Sequence, residues 1–312
     1  MFQIIQKNIG LQNKYAFPSC FFLQEEKHIL YQNKENIGEY FCFLWIKDDK
    51  IQCFLGGILA DSIFYSPFRA TFGSFCVDEN MNDTDFLLFV ESIKIFLSSK
   101  NTKKIHLKNF PFCYDDKNAT LIENILIKSK FEIQNNELNF HLELSENNVD
   151  FFHSSEKRRY QKCLKNDFIF QKENQNIDLS FVHSFIKKSR ERKNYPMTLI
   201  EKDFINLVEN FPEEIEIFTV KKEDVIAALC VTVRMNEKIL YSFYPADNID
   251  FLTFSPLVFL FAQLTKYAFE NNYQILDLGI ATDKSIVNEG LSIFKQRLGG
   301  KVTPKNEWIY HF

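Results

Sequence analysis

The stretch Phe254–Gly300, FSPLVFLFAQLTKYAFENNYQILDLGIATDKSIVNEGLSIFKQRLGG, reads as helix, strand, helix, and its neighbours can be placed from it. Ser255 suits an N-cap and Pro256 the first helical position, where a missing N–H costs nothing. Phe254 and Phe259 fall at the two positions of a hydrophobic staple. Leu257, Phe261, Leu264 and Ala268 follow at helical spacing, and Asn271-Asn272 suits the exit. Gln274–Gly279 is a short apolar run closed by glycine, as expected of a buried parallel strand. A second helix from about Asn288 carries Leu291, Phe294 and Leu298 on one face. Lys295 and Arg297 stand in its last turn and Gly299 is its stop.

Upstream, Glu216–Lys221 and Val225–Arg234 flank the turn Lys222-Glu223-Asp224, Ile239–Tyr244 is the next strand, and a last strand lies near Glu307–Phe312. The same series occurs earlier. Phe41–Ile46 and Ile51–Leu55 flank a hairpin turn at Lys47–Lys50, Gly56-Gly57 marks a bulge or a close backbone approach, and Ile63–Phe75 continues as strand and turn. A helix over Thr84–Ser99, a strand over Lys104–Leu107, a helix over Asn118–Ser129 and a strand over Glu137–Glu143 follow. Thr84 and Ser255, Lys104 and Ile275, Asn118 and Asn288, Leu138 and Trp308 are each about 170 residues apart. A constant offset predicts two copies of one β-β-β-α-β-α-β fold, each an α/β unit with a mixed sheet flanked by helices. The boundary is placed between residues 146 and 147, giving domains 1–146 and 147–312. Residues before Leu30 read as a helix pair broken at Pro18. Asn147–Glu214 reads as helical, with Leu179–Glu191 and Leu199–Asn210 separated at Tyr195-Pro196.

Composition narrows the function. The 312 residues carry a net charge of −4, so no global basic field draws nucleic acid or anionic membrane. Seven cysteines without a C-x-x-C pair, and six histidines without metal-ligand spacing, point to neither a zinc site nor a disulfide framework. The 35 phenylalanines are expected to fill cores rather than to form a binding surface. The N-terminus has no signal-peptide layout, and the longest apolar run, Phe251–Ala262, is too short to span a bilayer. A cytoplasmic protein is the expectation.

A Ser-Pro helix start, an Asp-Leu-Gly strand end, and a following helix with Phe294-Lys295 and a terminal glycine together resemble the C-terminal half of the FemAB-like branch of the GNAT acyltransferases. The segment His153–Lys165, rich in Lys and Arg, resembles the arginine-rich helix that opens the second domain in that branch. The resemblance implies two tandem GNAT-like domains, the first degenerate and the second holding the acyl donor. It implies an N-acyltransferase taking an acyl group from acetyl-CoA or another acyl-CoA to an amine of a small molecule, sugar or peptide. The donor would enter where Ile239–Tyr244 and Ile275–Gly279 splay apart. Its pyrophosphate would rest on the helix start around Thr253, Phe254, Ser255 and Leu257, and a backbone N–H near Phe243 would polarise the thioester.

Lys295 matches the lysine that stabilises the oxyanion in peptidyl-transferring members; the plain alternative is a solvated cation at a helix C-terminus. Asp277 would orient an amine or act as base, or simply fix a turn. Tyr241 and Tyr244 would protonate the leaving group, or serve as packing. Arg158, Lys162 and Lys165 share a helix face and would clamp an anionic acceptor, with Tyr195 beside Arg190 and Arg192 as a further binding element. No metal is expected. One feature departs from the family: Ala246–Pro256, ADNIDFLTFSP, lacks the glycine loop that usually holds pyrophosphate, and Asp247 and Asp250 would repel it. Two other readings therefore stand beside acyl-CoA: an aminoacyl-tRNA-dependent FemAB-type peptidyltransferase, and a non-catalytic GNAT-fold binding protein.

Overall fold

Alternation along the early strands produces a sheet buried on both faces. In a computed structural model, which describes residues 1–5, 20–174, 176–195 and 197–312, the chain forms two compact units. The first holds Met1–Asn139, Thr282–Val287 and Thr303–Phe312. Its strands and helices are β1 (Phe2–Ile5), α1 (Glu26–Gln32), β2 (Glu39–Lys47), β3 (Lys50–Ala60), β4 (Ile63–Ser66), β5 (Cys76–Val77), α2 (Asp83–Ser99), β6 (Lys104–Lys108), α3 (Asp116–Lys128) and the start of β7 (Glu132–Glu143). Phe41 and Phe43 of β2 meet Phe96 of α2 edge to face at 5.3 and 5.6 Å. Cys42, Leu44 and Ile46, which alternate with them, join Ile29 and Ile58 in a second cluster. Apart from Trp308, the largest fully buried side chains are phenylalanines, as expected.

The second unit holds Phe140–Ala281 and Asn288–Val302. It contains α4 (Ser154–Leu164), β8 (Ile169–Lys172), α5 (Leu179–Arg192), α6 (Glu201–Asn210), β9 (Ile215–Lys222), β10 (Val225–Arg234), β11 (Ile239–Asp247), α7 (Pro256–Glu270), β12 (Ile275–Ile280) and α8 (Glu289–Arg297). A two-strand hairpin, β13 (Thr282–Asp283) with β14 (Ile286–Val287), separates β12 from α8, and β15 (Lys301–His311) ends the chain.

In each unit the strands run in mixed directions and follow the expected order of elements. In the first unit β4 runs parallel to β6, Tyr65 facing His106, and in the second β11 runs parallel to β12, Tyr241 facing Asp277. The closing strands differ from expectation. Glu307–His311 of β15 pairs antiparallel with Lys104–Lys108 of β6, whereas β7 is the neighbour of β12. Strand periodicity specifies which face a side chain takes but not which neighbour a strand finds. Gly56 and Gly57 lie in unbroken register with Cys42 and Phe41, so no bulge occurs there. They are close approaches: a Cβ at Gly57 would lie 2.4 Å from the Phe64 ring. The expected helix break at Pro18 lies outside the described residues. Strands β1 and β8 and the β13–β14 hairpin were not anticipated, being too short to show a period.

Candidate functional site

The parallel pairing of β11 with β12 ends at Tyr241 and Asp277, although β11 continues to Asp247 and β12 to Ile280. Two local features part the strands. Against β10 the register of β11 steps by one residue, Val231 facing Tyr244 and Thr232 facing Ser242, which makes Phe243 the extra residue of a bulge. In β12, Gly279 takes a positive φ of 76°, a conformation that costs a residue with a Cβ about 1–2 kcal/mol. Asp277 fixes that turn: its Oδ1 accepts from the Gly279 N–H at 2.7 Å.

Gly279 is the centre of the site. A Cβ built on it would lie 3.3 Å from the Tyr241 ring, 3.5 Å from the Tyr241 hydroxyl and 3.9 Å from Lys295 Nζ. Lys295 reaches in from α8 and donates to the carbonyls of Gly279 at 2.9 Å and Ile280 at 2.8 Å, with Nζ 5.8 Å from the Phe140 ring centre. It is only 6% exposed, so the solvated-cation alternative does not hold. Burial drives its pKa down to about 7, against the opposing pull of the Asp277 charge. The shift corresponds to about 5 kcal/mol of unfavourable burial for the ammonium form. Burial raises the Tyr241 hydroxyl well above the usual phenol range, and Asp277 adds to the effect. Burial also raises Tyr244, whose hydroxyl is hydrogen-bonded to Thr198 and whose ring lies 5.4 Å from the Arg190 guanidinium. The Phe243 and Tyr244 rings are 4.0 Å apart.

The start of α7 has the predicted residues with a different local geometry. Ser255 is the N-cap and Pro256 the first helical residue, but Ser255 is left-handed, φ 58°, and its side chain makes no capping bond. Phe254 and Phe259 are linked through Phe168, at 5.2 and 6.3 Å. The Ser255 N–H donates to Leu252 O, Pro256 has none, and the Val258 N–H donates to Ser255 O. Of the residues expected to cradle a pyrophosphate, Ser255 therefore has its N–H spent, and the neighbouring Pro256 has none to give. Two cations stand nearby: Lys162 and Lys222 each place Nζ 4.9 Å from the Phe254 ring, and Lys162 donates to Thr253 O at 2.7 Å. Asp247 poses no repulsion. It accepts from Lys193 and Ser189, each at 2.8 Å, and from Arg192, and although burial pushes its pKa up, these partners hold it below the usual carboxylate range.

The structure thus brings Lys295, Tyr241, Asp277 and Gly279 together, with Phe243 and Tyr244 in the next turn of β11. Arg158 and Lys162 lie on α4 and Lys165 is its C-cap; α4 packs along α7, and Lys162 stands at the α7 start. Arg158 and Lys165 are exposed. Tyr195 accepts from Asn288 Nδ2, the N-cap of α8, at 2.8 Å, and its ring lies 5.8 Å from Arg190. Arg190, expected beside Tyr195, also lies by Tyr244. One residue escaped sequence reasoning. His141, on β7, feels the Asp277 charge, and no spacing rule joins residues so far apart in sequence.

No protein-family model and no curated protein matches this chain. Solved structures do. FemX matches at 14% identity over 99% of this chain and 97% of its own, with a TM-score of 0.74. L-PGS from Bacillus licheniformis matches at 10% identity, covering 94% and 93%, with a TM-score of 0.56. A tandem GNAT protein from the clavulanic acid biosynthesis pathway matches at 7% identity, covering 100% and 98%, with a TM-score of 0.55. At these identities the likeness is one of fold, and that fold is a pair of GNAT-type units.

Proposed function

We propose that this chain, with its tandem GNAT fold, is an acyltransferase that moves an acyl group from an activated ester to an amine at the β11/β12 opening. One observation carries the reading: Lys295 is buried in the opening although its burial opposes stability by about 5 kcal/mol as a cation. Methionine would fill the same space without that charge cost, at the loss of the donor to Gly279 O and Ile280 O. As an ammonium it has three N–H groups, two of them given to Gly279 O and Ile280 O. The third is available to an oxygen that becomes negative as a carbonyl is attacked. Asp277 holds Gly279 in the conformation that turns those carbonyls toward Lys295, and its charge favours the ammonium. The Tyr241 hydroxyl, kept protonated at neutral pH by burial, can give a hydrogen bond to a departing oxygen or sulfur.

Of the donors weighed, an aminoacyl ester on tRNA fits this site better than acyl-CoA. At the α7 start the Ser255 and Val258 N–H groups are spent and Pro256 has none, which weakens the usual hold on a pyrophosphate. Lys162 stands at the start of α7, and exposed Arg158 and Lys165 lie on or beside the same helix α4, a basic set that suits a polyanion. One observation favours acyl-CoA as a second reading: Lys162 and Lys222 flank Phe254 and could bind phosphate by side chains instead.

Calorimetric titration with acetyl-CoA, a longer acyl-CoA and free CoA, beside filter retention of alanyl-tRNA at two salt concentrations, separates the donors. Saturable, salt-sensitive retention of alanyl-tRNA without CoA binding is the expected result. Saturable acyl-CoA binding would reverse the choice of donor, and binding of neither would leave a fold without a donor site.

A further inference from the structure

His141 is 4% exposed, and its Nδ1 is buried without a hydrogen-bond partner. An unpaired polar atom inside a protein costs about 1–3 kcal/mol, so its persistence calls for a reason. The position of His141 suggests one. The Leu144 N–H donates to Gln274 O at 2.8 Å, where β7 meets β12. His141 lies three residues before that anchor on one strand and Asp277 three residues after it on the other. The Asp277 charge acts on His141, on Tyr241 and on Lys295 alike, which makes Asp277 the hub of a buried group drawn from β7, β11, β12 and α8.

Resting on the acyl-transfer reading above, we infer that His141 is the base of this site: its unpartnered Nδ1 takes the proton of the attacking amine, with Asp277 supporting the imidazolium that forms. The balance is complete without a co-reactant. The amine nitrogen bonds to the acyl carbon, the carbonyl electron pair moves to the oxygen beside Lys295, and the N–H proton passes to His141. The electron pair on that oxygen then re-forms the carbonyl as the bond from acyl carbon to leaving oxygen breaks, the leaving oxygen takes the proton from His141, and the ring returns neutral.

Electrostatics are consistent with this role. Burial lowers the His141 pKa and leaves the ring neutral near pH 7, ready to accept, while Asp277 and Glu143 pull it up and Lys301 pushes it down. Glu143 and Lys301 form an exposed pair at 2.7 Å, so their effects on His141 largely cancel. Lys295 and Tyr241 also face Asp277.

The test compares the full-length protein with His141→Gln, His141→Asn and His141→Ala. Acyl transfer to glycinamide from alanyl-tRNA and from acetyl-CoA is followed between pH 5 and 9, with and without added imidazole. If His141 is the base, kcat falls by about 10²–10⁴-fold in the Gln and Asn variants with KM little changed. The acidic limb of the pH profile disappears, and imidazole restores part of the rate to His141→Ala. A structural role would not produce imidazole rescue. Wild-type rates in folded His141→Gln overturn the inference and leave the acyl-transfer reading intact. Absence of transfer by the wild-type protein from both donors overturns the two together.

Discussion

Replacing Lys295 with methionine should remove a specific pH dependence of stability between pH 7 and 9. The amine titrates at about 7 in the fold against the ordinary 10.5. Because the folded pKa is lowered, the unfolded chain holds more protons throughout the interval between the two values. Stability at this position therefore rises with pH, by at most about 1.4 kcal/mol per unit. Integrated with those two pKa values, the rise from pH 7 to 9 is about 2.3 kcal/mol. Below pH 7 both states are protonated and the full burial cost, about 5 kcal/mol, applies. Methionine removes the charge but leaves Gly279 O and Ile280 O without their ammonium donor, an offsetting loss of about 1–3 kcal/mol each. The absolute stabilities near pH 7 should thus be similar, whereas the gap between wild type and variant changes by about 2.3 kcal/mol by pH 9. Urea unfolding at pH 7, 8 and 9 reads this directly. Two curves that run parallel across the interval would refute a buried, near-neutral lysine.

Gly279→Ala should cost about 1–2 kcal/mol through the positive φ, and more as its Cβ meets the Tyr241 ring, measured as a lowered urea midpoint. Removing Arg192 and Lys193 together as methionines should destabilise by about 3–5 kcal/mol, because Asp247 stays buried without a cation; adding Asp247→Asn should recover much of the loss. In the first unit, His106, Lys108 and Asn135 outweigh burial and hold Glu307 down to about 2. A lowered carboxylate contributes stability above its unfolded pKa and loses it as pH falls toward 2, so Glu307→Gln should flatten acid unfolding below about pH 4.5.

Much of the second unit was legible because local rules and tertiary packing agree there. Pro256 at the first helical position of α7, the start of α8 at Asn288 and Gly299 at φ 80° as a helix stop lie where capping chemistry places them. The repeat offset anticipated a mixed sheet in each unit, while the register that sets Tyr65 facing His106 and Tyr241 facing Asp277 comes from the structure. What failed depended on long-range contact. A lysine in the last turn of a helix fits the macrodipole whether wet or buried, so the burial of Lys295 left no trace in α8 alone. The left-handed Ser255 changes which N–H groups are spent at the α7 start, and serine gives no sign of that. His141 acquires meaning only when β7 comes to lie beside β12, an arrangement that strand periodicity leaves open.

The most direct test of the central claim is single-turnover acyl transfer from bound alanyl-tRNA by wild type and Lys295→Met, with donor affinity measured in parallel. A third N–H of Lys295 acting on the oxyanion predicts equal donor binding and a rate lower by about 10²–10³-fold in the variant. Equal rates for the two proteins would contradict the account, for then the buried lysine would have no part in the chemistry.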